Sequence, residues 1–425
     1  MNVTPEQYPA SGTTAPESSL LADLKRMPLI IQLVLLFMIV IFIWNQPLLG
    51  FNLSGLAWVI PFAVSLLVLS RSMIRVTFPY ILWLPWVLLL FTYLAMIDSS
   101  LLDPRVIPQQ RTLQLLSPLA VGMAVSTWRP TSVDRQAFLA TCRRLAYLIL
   151  VIVLFKTGVL LTGVLPSATG LAAETIAVTL LCTLFATSHI ITRSKNDLIL
   201  WAMLACVPII AVTRMAIAAS LLTFPLSFAP LPLIRRIAAL VLIALVGVAV
   251  FNTERVQKKM FFSGKGTIQD INSGNDDFAT SGRKNMWEKM SAATKDEYGT
   301  GHGTGTGETF IYNITGNTGY PHNDWLLTMF DYGLLGTVTF SVCCLLMVGH
   351  ILLQLRQFHD DTTRILLLTG AAGFVPFVLM MSTDNIMVYA SYFGNLHYVI
   401  LGLAYGALRA RKEAEQKHRT LSAGF

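Results

Sequence analysis

Three side chains in this sequence have the types and surroundings needed for chemistry on a phosphate-bearing substrate. Arg214 interrupts the apolar run VPIIAVTRMAIAASLL, Arg283 lies in a long polar segment, and His322 lies just before an apolar stretch expected to form a helix. A guanidinium stays protonated and makes bidentate contacts to phosphate oxygens. An imidazole exchanges protons near neutral pH, and the positive end of a helix favours an anion beside it. We therefore predict that Arg214 binds phosphate and that His322 is a general base, while Arg283 is a further candidate for the same anion.

A glycine-rich stretch, GTGHGTGTGE, runs from Gly299 to Glu308 ahead of the histidine. Glycine adopts positive φ without strain and lets a ligand approach the backbone closely. We expect the N–H groups of Gly303 and Gly305 to donate to an anion, and Asn323 to contact the same substrate. The stretch has no G-K-[ST] ending and no flanking strands, so it does not match a nucleotide-binding loop.

Metal and cofactor chemistry have no pattern in this sequence. D-x-D, H-E-x-x-H and paired cysteine and histidine sets at ligand spacing are all missing. The cysteines lie in or beside apolar runs, which provides no disulfide framework. We expect no metal and no cofactor, and we expect the energy for the reaction to come from an activated bond of the substrate.

Each candidate residue also has a structural explanation. Arg214 could extend from a helix end to the membrane surface, because an unpaired charge in lipid is costly. His322 could cap a helix or be a hydrogen-bonded structural histidine, and Arg283 could be an ordinary solvated loop residue. Arg105 and Arg111 flank a polar connection, where they either extend a basic rim for the substrate or are ordinary interfacial charges.

Two further ions lie inside apolar runs, namely Lys156 and Asp331. An ion inside a membrane span is a site candidate by default. The alternative is that these two residues pair with each other as a structural tie.

Composition identifies the chain as a membrane protein. Of its 425 residues, 54% are hydrophobic and 13% are charged, and the mean hydropathy is +0.62. So few charges cannot cover a soluble globule. The net charge of +8 does not indicate nucleic-acid binding, because the basic residues cluster at the ends of apolar runs, as membrane topology requires.

The predicted fold is an all-α polytopic membrane protein with about 12 transmembrane helices, since about 20 apolar residues cross about 30 Å of hydrocarbon. The predicted spans are 28–48, 53–70, 78–97, 111–127, 145–165, 170–192, 197–212, 215–231, 236–251, 325–354, 364–382 and 386–408. Basic residues flank alternate connections, which predicts that both termini are cytoplasmic.

The polar residues gather in one large extracytoplasmic loop, 252–324, between helices 9 and 10. Within it we predict a short helix over 283–293, with Met286 and Met290 on one side. The chain then divides into a disordered cytoplasmic tail, 1–27, and a single membrane domain, 28–425. The end of that domain, 409–425, is predicted to be a cytoplasmic tail.

The combination of motifs resembles the superfamily of O-antigen ligases and Wzy-type polysaccharide polymerases, which are GT-C-like membrane glycosyltransferases. The matching elements are Thr213-Arg214 at a helix end, Ser281-Gly-Arg283 with Trp287 four residues on, the glycine-rich stretch, and His322-Asn323 followed by Gly333-Leu-Leu-Gly336. The resemblance implies catalysis by His322, Arg214 and Arg283, with Trp287 binding substrate.

The activity implied is that of an inner-membrane polymerase joining undecaprenyl-diphosphate-linked repeat units of O-antigen, capsule or exopolysaccharide at the periplasmic face. The alternative is a ligase that transfers the glycan to lipid A-core in lipopolysaccharide biosynthesis. A transporter or flippase is disfavoured, because its site should lie near the bilayer midplane between related halves. The expected partners are a polyprenyl-diphosphate-linked oligosaccharide, a glycan or lipid acceptor, membrane lipid and a chain-length regulator, but no nucleic acid.

Overall fold

A computed structural model describes residues 19–43, 53–98, 100, 102–161, 174–267, 269–270, 283–316, 319–357 and 359–422. These residues form helices joined by turns, which confirms the predicted all-α class. The α-helices, numbered in chain order, are α1 Leu20–Lys25, α2 Leu29–Ile43, α3 Leu53–Ser72, α4 Leu84–Met96, α5 Pro108–Val125, α6 Ser132–Leu161, α7 Glu174–Thr192, α8 Lys195–Ala211, α9 Arg214–Leu222, α10 Leu233–Phe251, α11 Glu254–Met260, α12 Arg283–Ala293, α13 Thr306–Thr315, α14 Asp324–Gln354, α15 Asp361–Ala372, α16 Phe374–Met381 and α17 Asn395–Ser422.

Several of these helices are long and apolar enough to cross a membrane. Among the described residues there are 6, namely Gly55–Arg75, Ser132–Val159, Thr175–Thr192, Leu233–Phe251, Asp324–Gln354 and Asp361–Met381. Two shorter apolar helices occupy Leu29–Ile43 and Tyr80–Met96. The chain is therefore a polytopic membrane protein, and the finer prediction of twelve spans is not confirmed.

The predicted span over 215–231 does not form as one helix. Helix α9 ends at Leu222, and turns follow as far as Pro232. Prolines at 225, 230 and 232 explain the break, because proline has no N–H to donate and clashes with the preceding turn. At 1.5 Å per residue, α9 is about 14 Å long and cannot cross the hydrocarbon alone.

Both ends of the described chain differ from the predicted tails. Residues 1–18 of the predicted tail 1–27 lie outside the described residues, whereas α1 is helical, with the Asp23 carboxylate 2.6 Å from the Arg144 guanidinium. At the other end α17 runs on to Ser422, so the described part of 409–425 is helical, while its cytoplasmic position stays a prediction.

The membrane core is formed mainly by α2, α7, α15 and the first half of α17, whose apolar side chains are buried together. Helix α10 lies at the edge of this core and has no buried residue. It leads into α11 and the polar insert 252–324, which contains the helices that carry the candidate site.

The insert is folded onto the start of α14. The predicted helix over 283–293 is present as α12, and Met286 and Met290 share one face as predicted. That face packs on the protein, where it forms an apolar cluster with Ile311, Leu327 and Phe330. Burial of this cluster fixes α12 and α13 against the first turns of α14.

Candidate functional site

The turn before α14 places His322 in an unusual backbone conformation. Its φ is 51°, in the left-handed region that only a few per cent of non-glycine residues adopt. Asn323, predicted to contact substrate, is the N-cap, and its side chain accepts a hydrogen bond of 3.0 Å from the N–H of Leu326. The capping explanation for His322 is therefore wrong, since the next residue does the capping.

His322 and Arg283 meet at one turn, formed by residues 383–387 between α16 and the following π-helix at Ala390–Gly394. One guanidinium nitrogen of Arg283 donates to the carbonyl of Thr383 at 2.8 Å. Nδ1 of His322 lies 3.1 Å from the amide nitrogen of Asn385 and 3.7 Å from a carboxylate oxygen of Asp384. Two predicted catalytic residues, 39 positions apart in sequence, thus share one support.

The same turn is tied to the start of α14 by a buried carboxylate. Asp324 is only 1% exposed and accepts a hydrogen bond of 2.7 Å from the N–H of Met387. Trp287 adds a second tie, because its ring N–H donates to the carbonyl of Pro321 at 2.6 Å. Trp287 was predicted to bind substrate. In the structure its ring N–H holds α12 against the backbone next to His322.

The glycine-rich loop is bonded to α14. The N–H of Gly303 donates to the carbonyl of Asp331 at 2.8 Å, and those of Gly305 and Gly307 donate to its carboxylate at 3.1 and 2.7 Å. Asp331 thus binds the first backbone groups of α13, which is a role distinct from the predicted tie to Lys156. The N–H groups of Gly303 and Gly305, expected to meet substrate, are already engaged here.

The loop and the helix approach so closely that two glycines are required. Gly333, with a φ of 63°, kinks α14. A Cβ built on Gly301 would lie 2.3 Å from the Gly333 nitrogen, and one built on Gly333 would lie 2.5 Å from the Gly301 nitrogen. Only glycine fits at either position.

The two arginines predicted to extend a basic rim are both paired. Arg111 is 5% exposed, forms an ion pair with Glu308, and lies 5.1 Å from the centre of the Tyr320 ring. Burial raises the pKa of Glu308, and the charge of Arg111 opposes that rise. Arg105 is exposed, pairs with Asp103 at 2.8 Å and lies over the Tyr312 ring. We infer that Arg111 is structural.

Replacing Arg111 with alanine is expected to destabilise the protein by about 3–5 kcal/mol, the usual cost of leaving one partner of a buried ion pair alone. The double variant Arg111→Met with Glu308→Leu should recover part of that loss. Thermal unfolding can be followed in detergent with a thiol-reactive dye on the buried Cys142 and Cys182. A normal melting temperature in Arg111→Ala, combined with lost activity, would instead assign Arg111 to the substrate.

Lys259 is a functional candidate that the sequence patterns missed. Its ammonium donates a hydrogen bond of 2.7 Å to the carbonyl of Val212, which lies two residues before Arg214 in the sequence. Val212 ends α8 in the left-handed conformation and packs with Val256 and Met260 of α11. The signal in the sequence was a pair of lysines, Lys258 and Lys259, after an apolar span, which carries no information about which of them faces Arg214.

Lys259, Arg214 and Arg283 are near enough for the charges of the two arginines to act on the Lys259 ammonium, and we call these three side chains the cationic cluster. Burial, followed by the positive charges of Arg214, Arg255 and Arg283, lowers the pKa of Lys259. Burial also lowers the pKa of Arg283, while the carboxylate of Asp384 opposes that shift. Cations held together against their mutual repulsion gain most from an anion bound between them.

Metal-ligating groups do not gather at this place. Within the part of the chain that the structure describes, no group of three or more His, Cys, Asp or Glu side chains is arranged to hold a metal ion.

Taken together, the apolar helices and the folded insert define a polytopic membrane protein with a cationic polar site beside one histidine. Residues 198–341 match the family model described as O-antigen ligase, Wzy_C. This match confirms the resemblance to the O-antigen ligase and Wzy-type superfamily, whose members are glycosyltransferase-like enzymes. The matched segment contains Arg214, Lys259, Arg283 and His322, whereas the 383–387 turn lies beyond it. No curated protein matches the chain.

Proposed function

We propose that this protein is an inner-membrane polysaccharide polymerase that joins undecaprenyl-diphosphate-linked repeat units at the periplasmic face. The observation that supports this most is the convergence of Arg283 and His322 on the 383–387 turn, beside the cluster with Arg214 and Lys259. The cations suit a diphosphate leaving group, and the imidazole suits an acceptor hydroxyl.

The reaction proposed is a displacement at the anomeric carbon of the donor glycan. The acceptor oxygen forms a bond to that carbon, the bond from carbon to the phosphate oxygen breaks, and its electron pair leaves with the lipid diphosphate. Arg214, Arg283 and Lys259 stabilise the charge that develops on the leaving group. His322 takes the acceptor proton. No metal or cofactor is needed for this step.

For His322 to accept a proton at Nε2, its Nδ1 must carry the other hydrogen. The present orientation of Asn385 turns its amide nitrogen toward Nδ1, and its oxygen is buried without a hydrogen-bond partner among the described residues. Amide nitrogen and oxygen are similar in shape, so their assignment follows from the hydrogen-bond network. With the amide reversed, the Asn385 oxygen accepts from Nδ1 and Nε2 becomes the base.

The alternative activity is an O-antigen ligase, in which the same groups transfer the glycan to lipid A-core. A related branch of the superfamily transfers the glycan to protein, and the identity of the acceptor is what separates these activities. A chain-length regulator is a further proposed partner.

A reconstitution experiment tests the proposed function. Protein in vesicles is given a labelled lipid-diphosphate oligosaccharide, with and without lipid A-core, and with a chelator in parallel. Longer lipid-linked glycans support the polymerase, and product on lipid A-core supports the ligase. Movement of label across the bilayer without new glycosidic bonds would overturn both activities and indicate transport.

Replacing Lys259 with methionine is expected to lower kcat/KM roughly 10- to 100-fold, the equivalent of about 1.5–3 kcal/mol for a charge-assisted hydrogen bond. Methionine keeps an unbranched side chain that is one atom shorter, and it removes the charge and the bond to Val212. Lys258→Met is the matched control, since Lys258 is exposed and pairs with Glu254 at 2.6 Å. Equal activity in the two variants would remove Lys259 from the site.

The periplasmic position of the insert is also testable. In a cysteine-free background we place single cysteines at Lys295, in the insert, and at Ser422, at the end of α17. Because basic residues favour the cytoplasmic side, an impermeant maleimide should label position 295 in intact spheroplasts and position 422 only after permeabilisation. The reverse pattern would invert the proposed topology.

A further inference from the structure

A polar cavity lies at the end of α14 opposite the candidate site, roughly 40 Å along the helix from Asp324 at 1.5 Å per residue. Its volume is about 340 Å³, and it is partly open to the surroundings. Its lining comes from three elements, and comprises Val76, Thr77, Pro79, His350, Gln354, Tyr405, Leu408, Arg409 and Lys412. The cavity is therefore recessed between α14, α17 and the connection after α3.

An apolar groove adjoins this cavity, and His350 lines both. The groove is formed largely by leucines of α14, including Leu345, which is 70% exposed, and Leu353, which is 52% exposed. Gly349 lies in its floor, and a Cβ there would meet nothing within 4 Å. The groove thus leads from an apolar surface directly into a polar cavity.

Electrostatics at the cavity favour an anion. Arg409 lies 2.7 Å and Arg129 3.4 Å from the carboxylate of Glu413, so two guanidinium groups share one negative charge. Lys412 adds another exposed cation to the lining. At the inner end of the cavity, His350 Nδ1 and the Tyr405 hydroxyl lie 2.6 Å apart, which places polar hydrogens beside the groove.

We propose that the cavity and the groove together bind one anionic phospholipid. Its phosphate lies beside Lys412 and Arg409, and one acyl chain lies along the leucines of α14. The negative phosphate is stabilised by the two cations, and the acyl chain is accommodated by the apolar groove, which meets the cavity at His350. Basic pockets between membrane helices are known to take acidic lipid headgroups. This site is independent of the glycosyl-transfer site, because it lies at the other end of the same helix.

The headgroup part is tested with the full-length protein in mixed vesicles or nanodiscs of phosphatidylglycerol and phosphatidylcholine. Lipid that stays bound through purification is quantified by mass spectrometry. The wild type should retain phosphatidylglycerol in excess, and Lys412→Gln should reduce that retention roughly fivefold, the effect of one basic residue near an anionic lipid. Lys417→Gln, on the same helix outside the cavity, should have no effect.

The groove part is tested by filling the groove. Gly349→Phe should abolish selective retention of phosphatidylglycerol, because its ring would occupy the acyl-chain path without a clash at Cβ. Gly247→Phe on α10 is the matched control, since a Cβ at that glycine also meets open space. Equal retention of both lipids by the wild type, or equal losses in Lys412→Gln and Lys417→Gln, would overturn the proposal.

Discussion

His322→Asn is expected to reduce turnover per folded molecule by on the order of 10²–10⁴-fold, the usual contribution of general acid–base catalysis. Asparagine is the informative replacement because it tolerates the left-handed conformation that His322 adopts, with a φ of 51°. It keeps a polar side chain beside Asn385 and Asp384 but cannot take up the acceptor proton. Binding of the lipid-diphosphate donor should be largely preserved, because we assign it to the cations.

A second histidine offers the matched control for this prediction. His302 stacks on Phe330 with ring centres 4.3 Å apart, and it lies in the glycine-rich loop away from the 383–387 turn. His302→Asn should keep turnover near the wild-type value. If His322→Asn also keeps most of the wild-type rate at normal protein yield, the general base must be another group, and positioning by the cations becomes the main source of catalysis.

Arg214→Lys and Arg283→Lys are each expected to lose most activity, and the alanine variants on the order of 10²–10³-fold in turnover, as when one preorganised donor to a developing oxyanion is removed. Lysine keeps the charge but loses the planar fork that binds two phosphate oxygens. For Arg283, the three N–H groups of lysine share one nitrogen, so they cannot reproduce the separated nitrogens with which the guanidinium bonds the carbonyl of Thr383 and also faces the donor.

Arg105→Lys serves as the control, because Arg105 is exposed and paired with Asp103 outside the cluster. Turnover should be measured together with donor binding and membrane content of each variant. Near-normal activity in Arg214→Lys would show that Arg214 contributes charge or anchoring alone. Normal donor binding in both alanine variants would place the diphosphate elsewhere.

The sequence was informative where a local pattern implies a local structure. Helix α12 was predicted over 283–293 and is present over those residues, since its periodic Met286 and Met290 specify a buried face. The family resemblance is likewise confirmed over 198–341. The predicted catalytic roles of Arg214, Arg283 and His322 remain predictions, now with a geometry that can be tested.

The rest of the site depends on contacts between distant parts of the chain. No pattern near Thr383 indicates that its carbonyl binds Arg283, 100 positions away. The pairing of Arg111 with Glu308 and the contact of Lys259 with Val212 have the same origin. A short segment of sequence includes only one residue of each pair. It therefore reveals the charge of that side chain but not the residue that the side chain contacts in the folded protein.

We propose that the kink at Gly333 also sets the distance of the candidate site from the bilayer. At 1.5 Å per residue, residues 334–354 measure about 31 Å, close to the thickness of the hydrocarbon, and residues 324–332 extend about 14 Å further. Side-chain exposure changes at the same place, since Asp331 and Tyr332 are buried while Leu334 and Leu335 are 41% and 55% exposed. Gly333 therefore separates the part of α14 that is long enough to cross the hydrocarbon from the part that carries the candidate site. A substrate anchored by a lipid tail would have to place its reacting bond about 14 Å above the hydrocarbon, the length of residues 324–332. The length of this segment would therefore select which lipid-linked molecules can react.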